Sequence, residues 1–241
     1  MHVLNRILPL SLRRFLRGVA LRVVPSMRHL DMRIRLRHMA AIGFAPRVII
    51  DVGASDGTWS RMAAAIWPQA RIVAFEPRES KRAELERACR ELANFSYHIC
   101  FLGARSGPVA YSDAGNQTSL YAGHGAERQS ADMRSLDELL AAGVVPQPDL
   151  LKLDVQGYEL EVLAGGETAV SGVQAVLAEV SFYHFHPSMP TADDVIAYLR
   201  QRGLVVYDVM GLLRQPEDDA LGQMDLMFLR SDHSLRGPRS W

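Results

Sequence analysis

Two aspartates and two glycines share the short segment from Asp51 to Gly57, which begins within the largely β-branched run Val48–Val52. Glycines in a strand-to-helix turn let the backbone approach a ligand closely, and the first amides of the helix are free to bind it. The spacing D-x-G-x-x-x-G differs from the G-x-G-x-x-G of dinucleotide-binding folds, and carboxylates in the turn would repel a pyrophosphate. Asp51 and Asp56 instead suit a ligand with a cationic amino-acid portion, such as S-adenosylmethionine (SAM). Taken alone, the segment could also be only a tight link between a strand and a helix.

A further acidic residue, Glu76, ends the next predicted strand and is followed by Pro77. A carboxylate at this place in an α/β fold can accept hydrogen bonds from both hydroxyls of a ribose. NAD sites use the same arrangement, so Glu76 indicates a nucleoside-type ligand without identifying it. A purely surface role for Glu76 is the alternative.

Two charged residues, Lys152 and Asp154, interrupt the apolar run from Leu150 to Val155. An unpaired buried charge is costly, so each side chain needs a partner or must line a cleft. Alternation along a strand places both on the same side of the sheet, with Asp154 at the carboxyl end, where open α/β folds bind ligands. A structural ion pair would explain the pattern equally well.

These segments together resemble the FkbM family of SAM-dependent methyltransferases, and the resemblance runs from about Val48 to Arg230. The lysine-aspartate strand and the residues that follow it form the most specific motif. The segments are IIDVGASDGTWS (49–60), AFEP (74–77), SLDELL (135–140), LLKLDVQGYELEVLAGG (150–166), AEVSF (178–182) and QMDLMFLR (223–230).

The resemblance implies a class I methyltransferase fold, SAM as cofactor, and O-methylation of hydroxyls, often on sugars or secondary metabolites. It also implies that Asp154 and Glu159 lie beside the transferred methyl group and that Lys152 is a paired base or an orienting cation. The implied cofactor-binding residues are Asp51, Gly53, Ala54, Ser55, Gly57, Glu76 and Pro77. Two features depart from the common pattern: methyltransferases commonly have a third glycine where this chain has Ser55, and the stretch 102–105 lacks the acid that often contacts adenine.

The general base is not fixed by the sequence. An alcohol is a poor nucleophile at neutral pH, so methyl transfer to a hydroxyl requires a group that accepts its proton. Asp154, a neutral Lys152 or a histidine from the pair His184 and His186 could serve, although a solvated loop role is as natural for these histidines. Residues 116–120 could bind substrate or form an ordinary polar loop, and Asp225 is expected to pair structurally. No spacing of His, Cys or Asp indicates a metal site.

The elements that must position these residues alternate between strand and helix from residue 48 to residue 230. This order predicts a Rossmann-like, mostly parallel seven-stranded sheet with an antiparallel edge. The third strand is expected over Phe95–Leu102, and residues 103–130 are expected to form an irregular insertion or a small hairpin. We therefore divide the chain into an N-terminal helical arm (1–47), a methyltransferase domain (48–230) and a frayed polar tail (231–241).

The charge of the chain is balanced overall but not locally, because residues 1–47 carry ten arginines and one acid. Apolar residues recur at helical spacing from Leu12 to Val23, so this arm could pack on its own domain or on a second subunit, or lie on an anionic membrane. Nucleic-acid binding is not expected. Cys89 and Cys100 are read as buried small residues, and no signal peptide or membrane-spanning run is found, so a cytoplasmic location is expected, with peripheral contact at the inner face of the membrane as an option.

The sequence therefore predicts a SAM-dependent O-methyltransferase that acts on a sugar, a glycan or a glycosylated metabolite. The rival interpretations are an NAD-type oxidoreductase and a membrane-associated protein that keeps the fold without the activity.

Overall fold

The computed structural model describes residues 31–113, 118–119 and 128–238. A seven-stranded sheet forms its centre, in the order β10-β11-β9-β8-β1-β2-β3. The strands are β1 (Val48–Val52), β2 (Arg71–Phe75), β3 (Phe95–His98), β4 (Phe101–Leu102), β5 (Gly107–Asp113), β6 (Thr118–Ser119), β7 (Arg128–Arg134), β8 (Leu150–Leu153), β9 (Ala175–Ser181), β10 (Leu204–Arg214) and β11 (Leu221–Arg230). In this sheet β11 runs antiparallel to both of its neighbours, β9 and the edge strand β10. The predicted fold class is confirmed.

Helices cover both faces of the sheet. They are α1 (Met32–Ala41), α2 (Thr58–Ile66), α3 (Arg82–Glu91), α4 (Leu136–Ala141), α5 (Glu159–Ala164), α6 (Glu167–Gly172) and α7 (Ala192–Gln201). Ser135 caps the start of α4, since its hydroxyl accepts the Glu138 amide. None of the described helices is long and apolar enough to cross a membrane.

The strands β1 and β8 lie at the centre of the sheet and are buried on both faces, as their continuous apolar runs predict. They pair in parallel, so that Asp51 is opposite Lys152 and Val52 is opposite Leu153. Their apolar side chains pack into the hydrophobic cores on the two faces of the sheet. At their carboxyl ends the buried side chains are charged, and Asp51 of β1 meets Lys152 of β8 there.

The insertion forms a small second sheet in the order β4-β7-β5-β6. The predicted single strand Phe95–Leu102 is wrong, because β3 pairs with β2 in the main sheet whereas β4 pairs with β7 in the second sheet. The chain turns between them at Ile99 and Cys100, where the pairing partner changes. The irregular insertion or small hairpin expected over residues 103–130 contains β5 and β6 and the first residues of β7, which continues to Arg134. The small sheet stands beside the carboxyl ends of β1 and β2.

Part of the predicted arm and tail belongs to the packed domain. Helix α1 contributes Leu36 and Met39 to the core, and Phe44 stacks edge-on against Trp67. At the other end of the chain, the Arg236 guanidinium donates to the Val206 carbonyl, so residues 231–238 are held rather than frayed. Hydrophobic contacts of α1 thus extend the domain below residue 48. The arm helix predicted over 12–23 lies outside the described residues.

The two cysteines differ from the expectation that both are buried. Cys100 is buried, whereas Cys89 is exposed on α3. Burial raises the pKa of the Cys100 thiol to about 11, so it stays protonated at neutral pH. Neither residue forms a disulfide.

Candidate functional site

The turn after β1 approaches the neighbouring strand so closely that only glycine fits at Gly53. Its φ is +77°, and an added Cβ would lie 1.9 Å from the Asp154 carbonyl oxygen. Gly57 also has a positive φ, +76°, and directly precedes α2. Ser55 lies between them with φ +51°, a left-handed conformation that is unfavourable for a residue with a side chain. Ser55 therefore adopts a backbone conformation that glycine would adopt more easily.

A cleft opens at the carboxyl ends of β1, β2 and β8, beside this turn. Its empty space, including the open mouth, is about 910 Å³. Both polar and apolar residues line it. The lining residues are Val52, Gly53, Ser55, Phe75, Glu76, Pro77, Arg78, Cys100, Phe101, Leu102, Asp154, Val155, Gln156 and Tyr158. Of the predicted cofactor-binding residues, Gly53, Ser55, Glu76 and Pro77 reach this cleft, and Asp51, Ala54 and Gly57 do not line it.

Glu76 lies in the wall of the cleft with only 2% of its surface exposed. Its Oε2 accepts the Ser55 amide at 2.8 Å, and its Oε1 accepts the Arg78 amide at 3.1 Å and the Arg78 Nε at 2.6 Å. Arg78 is itself buried and was not singled out in the sequence. Its position two residues after Glu76 was the available signal, since a buried carboxylate needs a nearby donor.

Asp51 is completely buried and holds Lys152 rather than facing the cleft. Asp51 Oδ2 accepts the Ser60 hydroxyl at 2.6 Å, and Asp51 Oδ1 lies 3.0 Å from Lys152 Nζ. Asp51 therefore lies beneath the turn as a supporting residue and does not line the cleft. Lys152 Nζ also donates to the Gly53 carbonyl at 3.1 Å, which ties the turn to β8.

The two carboxylates beside Lys152 favour its charged form over the neutral base. Burial alone would lower its pKa, but the carboxylates of Asp51 and Asp154 outweigh burial and raise the pKa above its ordinary value. Its ammonium group also lies 5.7 Å from the centre of the Trp59 ring. Of the two implied roles, the geometry favours the orienting cation.

Asp154 is the predicted catalytic residue that reaches the cleft. Its Oδ2 is 3.4 Å from Lys152 Nζ, and 39% of its side chain is exposed. It therefore has both a cation that orients it and open space beside it. Glu159 is instead buried at the start of α5, where its Oε1 accepts the Gly157 amide at 3.0 Å. Burial raises the pKa of Glu159 to about 7, and Glu159 braces the 156–158 loop rather than lining the cleft.

Two further acids lie on the same face of the sheet as Lys152 and Asp154. Glu179 on β9 is directly opposite Asp225 on β11, and the Gln223 amide donates to Glu179 Oε2 at 3.0 Å. Burial first, and then the nearby carboxylate of Asp154, raises the pKa of Glu179 to about 8 and that of Asp225 to about 6. Glu179 was missed in the sequence. The available signal was a charge within the apolar strand Ala175–Ser181, the same kind of signal that identified Lys152 in its own strand.

Replacing Glu179 with glutamine is expected to change how stability depends on pH. The raised pKa means that the folded chain holds its proton more tightly than the unfolded chain between pH values of about 4.5 and 8. The free energy of unfolding therefore falls as pH rises through that range and Glu179 ionises. The nearby carboxylates of Asp154, Glu159 and Asp225 oppose this ionisation, and Lys152 favours it. Urea unfolding at about pH 5 and about pH 8.5 should show a gain for Glu179→Gln over the parent at the higher pH only. The exposed control Glu86→Gln should show no such gain, and an equal gain at both pH values would contradict the prediction.

The histidines lie away from the cleft lining. His184 is exposed in the loop after β9, and its Nδ1 is 2.8 Å from the Met189 carbonyl. His184 therefore anchors its own loop, and His186 contacts the Ser188 amide in the same loop. Most of the 116–120 segment lies outside the described residues. Within residues 31–113, 118–119 and 128–238, no group of His, Cys, Asp and Glu is arranged to hold a metal ion.

The residues of the cleft fit SAM. Glu76 provides a carboxylate for ribose hydroxyls, and Phe75, Phe101 and Leu102 provide an apolar wall for a flat base. The acid that often contacts adenine is absent here, since Cys100, Phe101 and Leu102 are the residues that line the cleft after β3.

The strand order, the glycine turn and this cleft define a class I methyltransferase domain. The Methyltransferase FkbM domain model matches residues 51–206, more than half of the chain, and the chain therefore belongs to the FkbM methyltransferase family. The predicted family, the methyltransferase class and SAM as its cofactor are confirmed.

Curated relatives resemble this chain over part of their length. Hexuronic acid methyltransferase AglP of Haloferax volcanii is 31% identical over 143 residues, which are 55% of this chain and 55% of AglP. The 2-O-methyltransferase NoeI of Sinorhizobium fredii is 24% identical over 153 residues, 56% of this chain and 63% of NoeI. The chain thus spans somewhat more than half the length of these two relatives.

Solved structures support the fold. The FkbM methyltransferase from Methylobacillus flagellatus aligns with a TM-score of 0.50 at 18% identity, covering 75% of this chain and 43% of that chain. The N-terminal domain of EvdMO1 with SAH bound aligns with a TM-score of 0.51 at 14% identity, covering 83% and 81%.

Proposed function

We propose that the protein transfers the methyl group of SAM to a hydroxyl group of a sugar, either free or within a glycan or a glycosylated metabolite. The observation that carries this proposal is the position of Asp154. It is the carboxylate of the lysine-aspartate motif that both lines the cofactor cleft and is exposed beside it. The similarity to AglP and NoeI, whose names describe methylation of a hexuronic acid and 2-O-methylation, supports a sugar acceptor.

The chain supplies alignment and proton acceptance. When bound, SAM supplies an electrophilic methyl group, which the acceptor oxygen must approach in line. Asp154 can accept the proton of the acceptor hydroxyl, and Lys152 fixes the direction of its carboxylate. Asp51 and Ser60 keep Lys152 in place from below.

The residues at and after the carboxyl end of β9, the strand that pairs with β8, have features that suit a sugar. Phe182, Tyr183 and Phe185 are exposed after β9, where large apolar side chains in water indicate a binding surface. Glu179 and Gln223 offer hydrogen-bonding groups on the face of the sheet that carries Asp154. Because carboxylates gather on this face, we expect an acceptor without a carboxylate of its own, unlike the acceptor in the name of AglP.

Ligand-induced thermal shifts and a transfer assay test the proposed function. SAM and S-adenosylhomocysteine (SAH) should raise the melting temperature of the full chain, and NAD should not. Labelled methyl from SAM should then be transferred to neutral sugars or their glycosides more readily than to a uronic acid. Glu76→Gln should reduce the shift with SAM, whereas the exposed control Glu86→Gln should not. Stabilisation by NAD alone would favour the oxidoreductase, and absence of any SAM or SAH effect would favour the non-catalytic alternative.

We also keep the proposal that the basic arm contacts an anionic membrane or a second subunit, with the protein in the cytoplasm. The support is its sequence, since residues 1–30 contain arginines beside an apolar line at helical spacing. These residues lie outside the described part of the chain.

A further inference from the structure

We propose that Arg78 and Ser55 are positioning residues that hold Glu76 in one orientation for the cofactor ribose. This inference rests on the proposed function, because it assigns a role within the same SAM site. It concerns how the carboxylate is oriented and does not require Arg78 to touch the ligand. It also accounts for Ser55, which stands where methyltransferases commonly have glycine.

The hydrogen bonds of Glu76 leave one acceptor position for a ligand. A carboxylate oxygen can accept about two hydrogen bonds. Oε1 already accepts both the amide and the Nε of Arg78, at 3.1 and 2.6 Å. Oε2 accepts the Ser55 amide at 2.8 Å, and its remaining contact, with Arg78 Nη2, is long at 3.4 Å. Oε2 is therefore the oxygen that can take a short hydrogen bond from a ribose hydroxyl, which refines the expectation that Glu76 binds both.

Ser55 links the two loops that form this wall of the cleft. Its hydroxyl accepts Arg78 Nη2 at 3.1 Å, while its amide binds Glu76 Oε2. Serine in the left-handed conformation at φ +51° is less favourable than glycine, so its side chain must provide a compensating contact. The contact with Arg78 is that compensation. Glycine would have the same backbone freedom but would leave Arg78 without this acceptor.

A role in stability alone does not explain the arrangement well. Glu76 and Arg78 are buried to 2% and 8% exposure, and the desolvation of a buried ion pair offsets most of its attraction. The pair also lies at the wall of the cleft, since both residues line it together with Ser55. Such a pair is better explained by a fixed acceptor geometry, because a preoriented group loses less entropy when the ligand binds.

Calorimetry with two ligands tests this role. The probes are SAH and an SAH analogue that lacks both ribose hydroxyls. Arg78→Met should weaken SAH about 10- to 100-fold, as expected when a hydrogen bond to a charged group loses its geometry. It should change affinity for the dideoxy analogue by less than about threefold, because that ligand does not use Glu76. Arg78→Lys should recover part of the SAH affinity, and the exposed control Arg87→Met should alter neither affinity.

Ser55→Ala completes a double-mutant cycle. Alone it should weaken SAH several-fold, and in the Arg78→Met background it should have almost no further effect, since the contact is already lost. This variant keeps the amide that binds Glu76, so it also reports on the role if Arg78→Met folds poorly. Independent, additive losses, or equal losses for both ligands in Arg78→Met, would overturn the inference. If the unaltered chain does not bind SAH at all, the proposed function itself fails, which calorimetry of the parent chain shows first.

Discussion

Replacing Asp154 with asparagine is expected to lower kcat about 10²- to 10⁴-fold, the usual contribution of a positioned proton acceptor. Asparagine keeps the size and much of the polarity of the side chain but cannot accept the hydroxyl proton. Because Asp154 is 39% exposed, the substitution removes little buried structure. Single-turnover methyl transfer at saturating SAM measures the effect, with the affinity for SAH determined in parallel by calorimetry.

The expected signature is a loss in kcat with affinity for SAH kept within about threefold, since a group that acts only in the transition state leaves ground-state binding intact. Asp232→Asn, on the exposed surface after β11, is the matched control and should leave both quantities unchanged. An unchanged kcat with weaker SAH binding would assign Asp154 to the cofactor alone. A large loss of kcat in Glu179→Gln with a normal Asp154→Asn would move the proton acceptor to β9.

The sequence was sufficient for the parts of the site that depend on local pattern. The turn is predicted by Gly53 and Gly57 beside a buried strand, and the position of Glu76 is predicted by its place at the end of β2. The strand β8 was also predictable, because Lys152 and Asp154 stand out within an apolar run. Each of these features is visible within about ten residues of chain.

Features that depend on pairing between distant strands were not predictable. The position of Glu179 opposite Asp225 depends on an antiparallel register set by β11, and the separation of β3 from β4 depends on which sheet each strand joins. The protonation state of Lys152 could not be predicted either, because it also depends on pairing between distant strands. Asp51 is adjacent to it only because β1 and β8 are neighbours, and this contact keeps the lysine charged.

Removing the charge of Lys152 should have the largest effect on stability. Lys152→Met leaves Asp51 completely buried with Ser60 as its remaining hydrogen-bond donor, and an uncompensated buried charge typically costs about 3–5 kcal/mol. The contact with the Gly53 carbonyl is lost as well, so the turn that lines the cleft should loosen. Urea denaturation of the full chain measures the change in the free energy of unfolding.

The double variant Asp51→Asn/Lys152→Met distinguishes a charge effect from a packing effect. If the loss arises from the unpaired carboxylate, neutralising Asp51 should recover much of it, because replacing both members of a buried pair is far less damaging than removing one. The recovered protein should still turn over slowly, since Asp154 would lack the cation that lies 3.4 Å from its carboxylate. Equal destabilisation in the single and double variants would show instead that Lys152 contributes through its packing against Trp59.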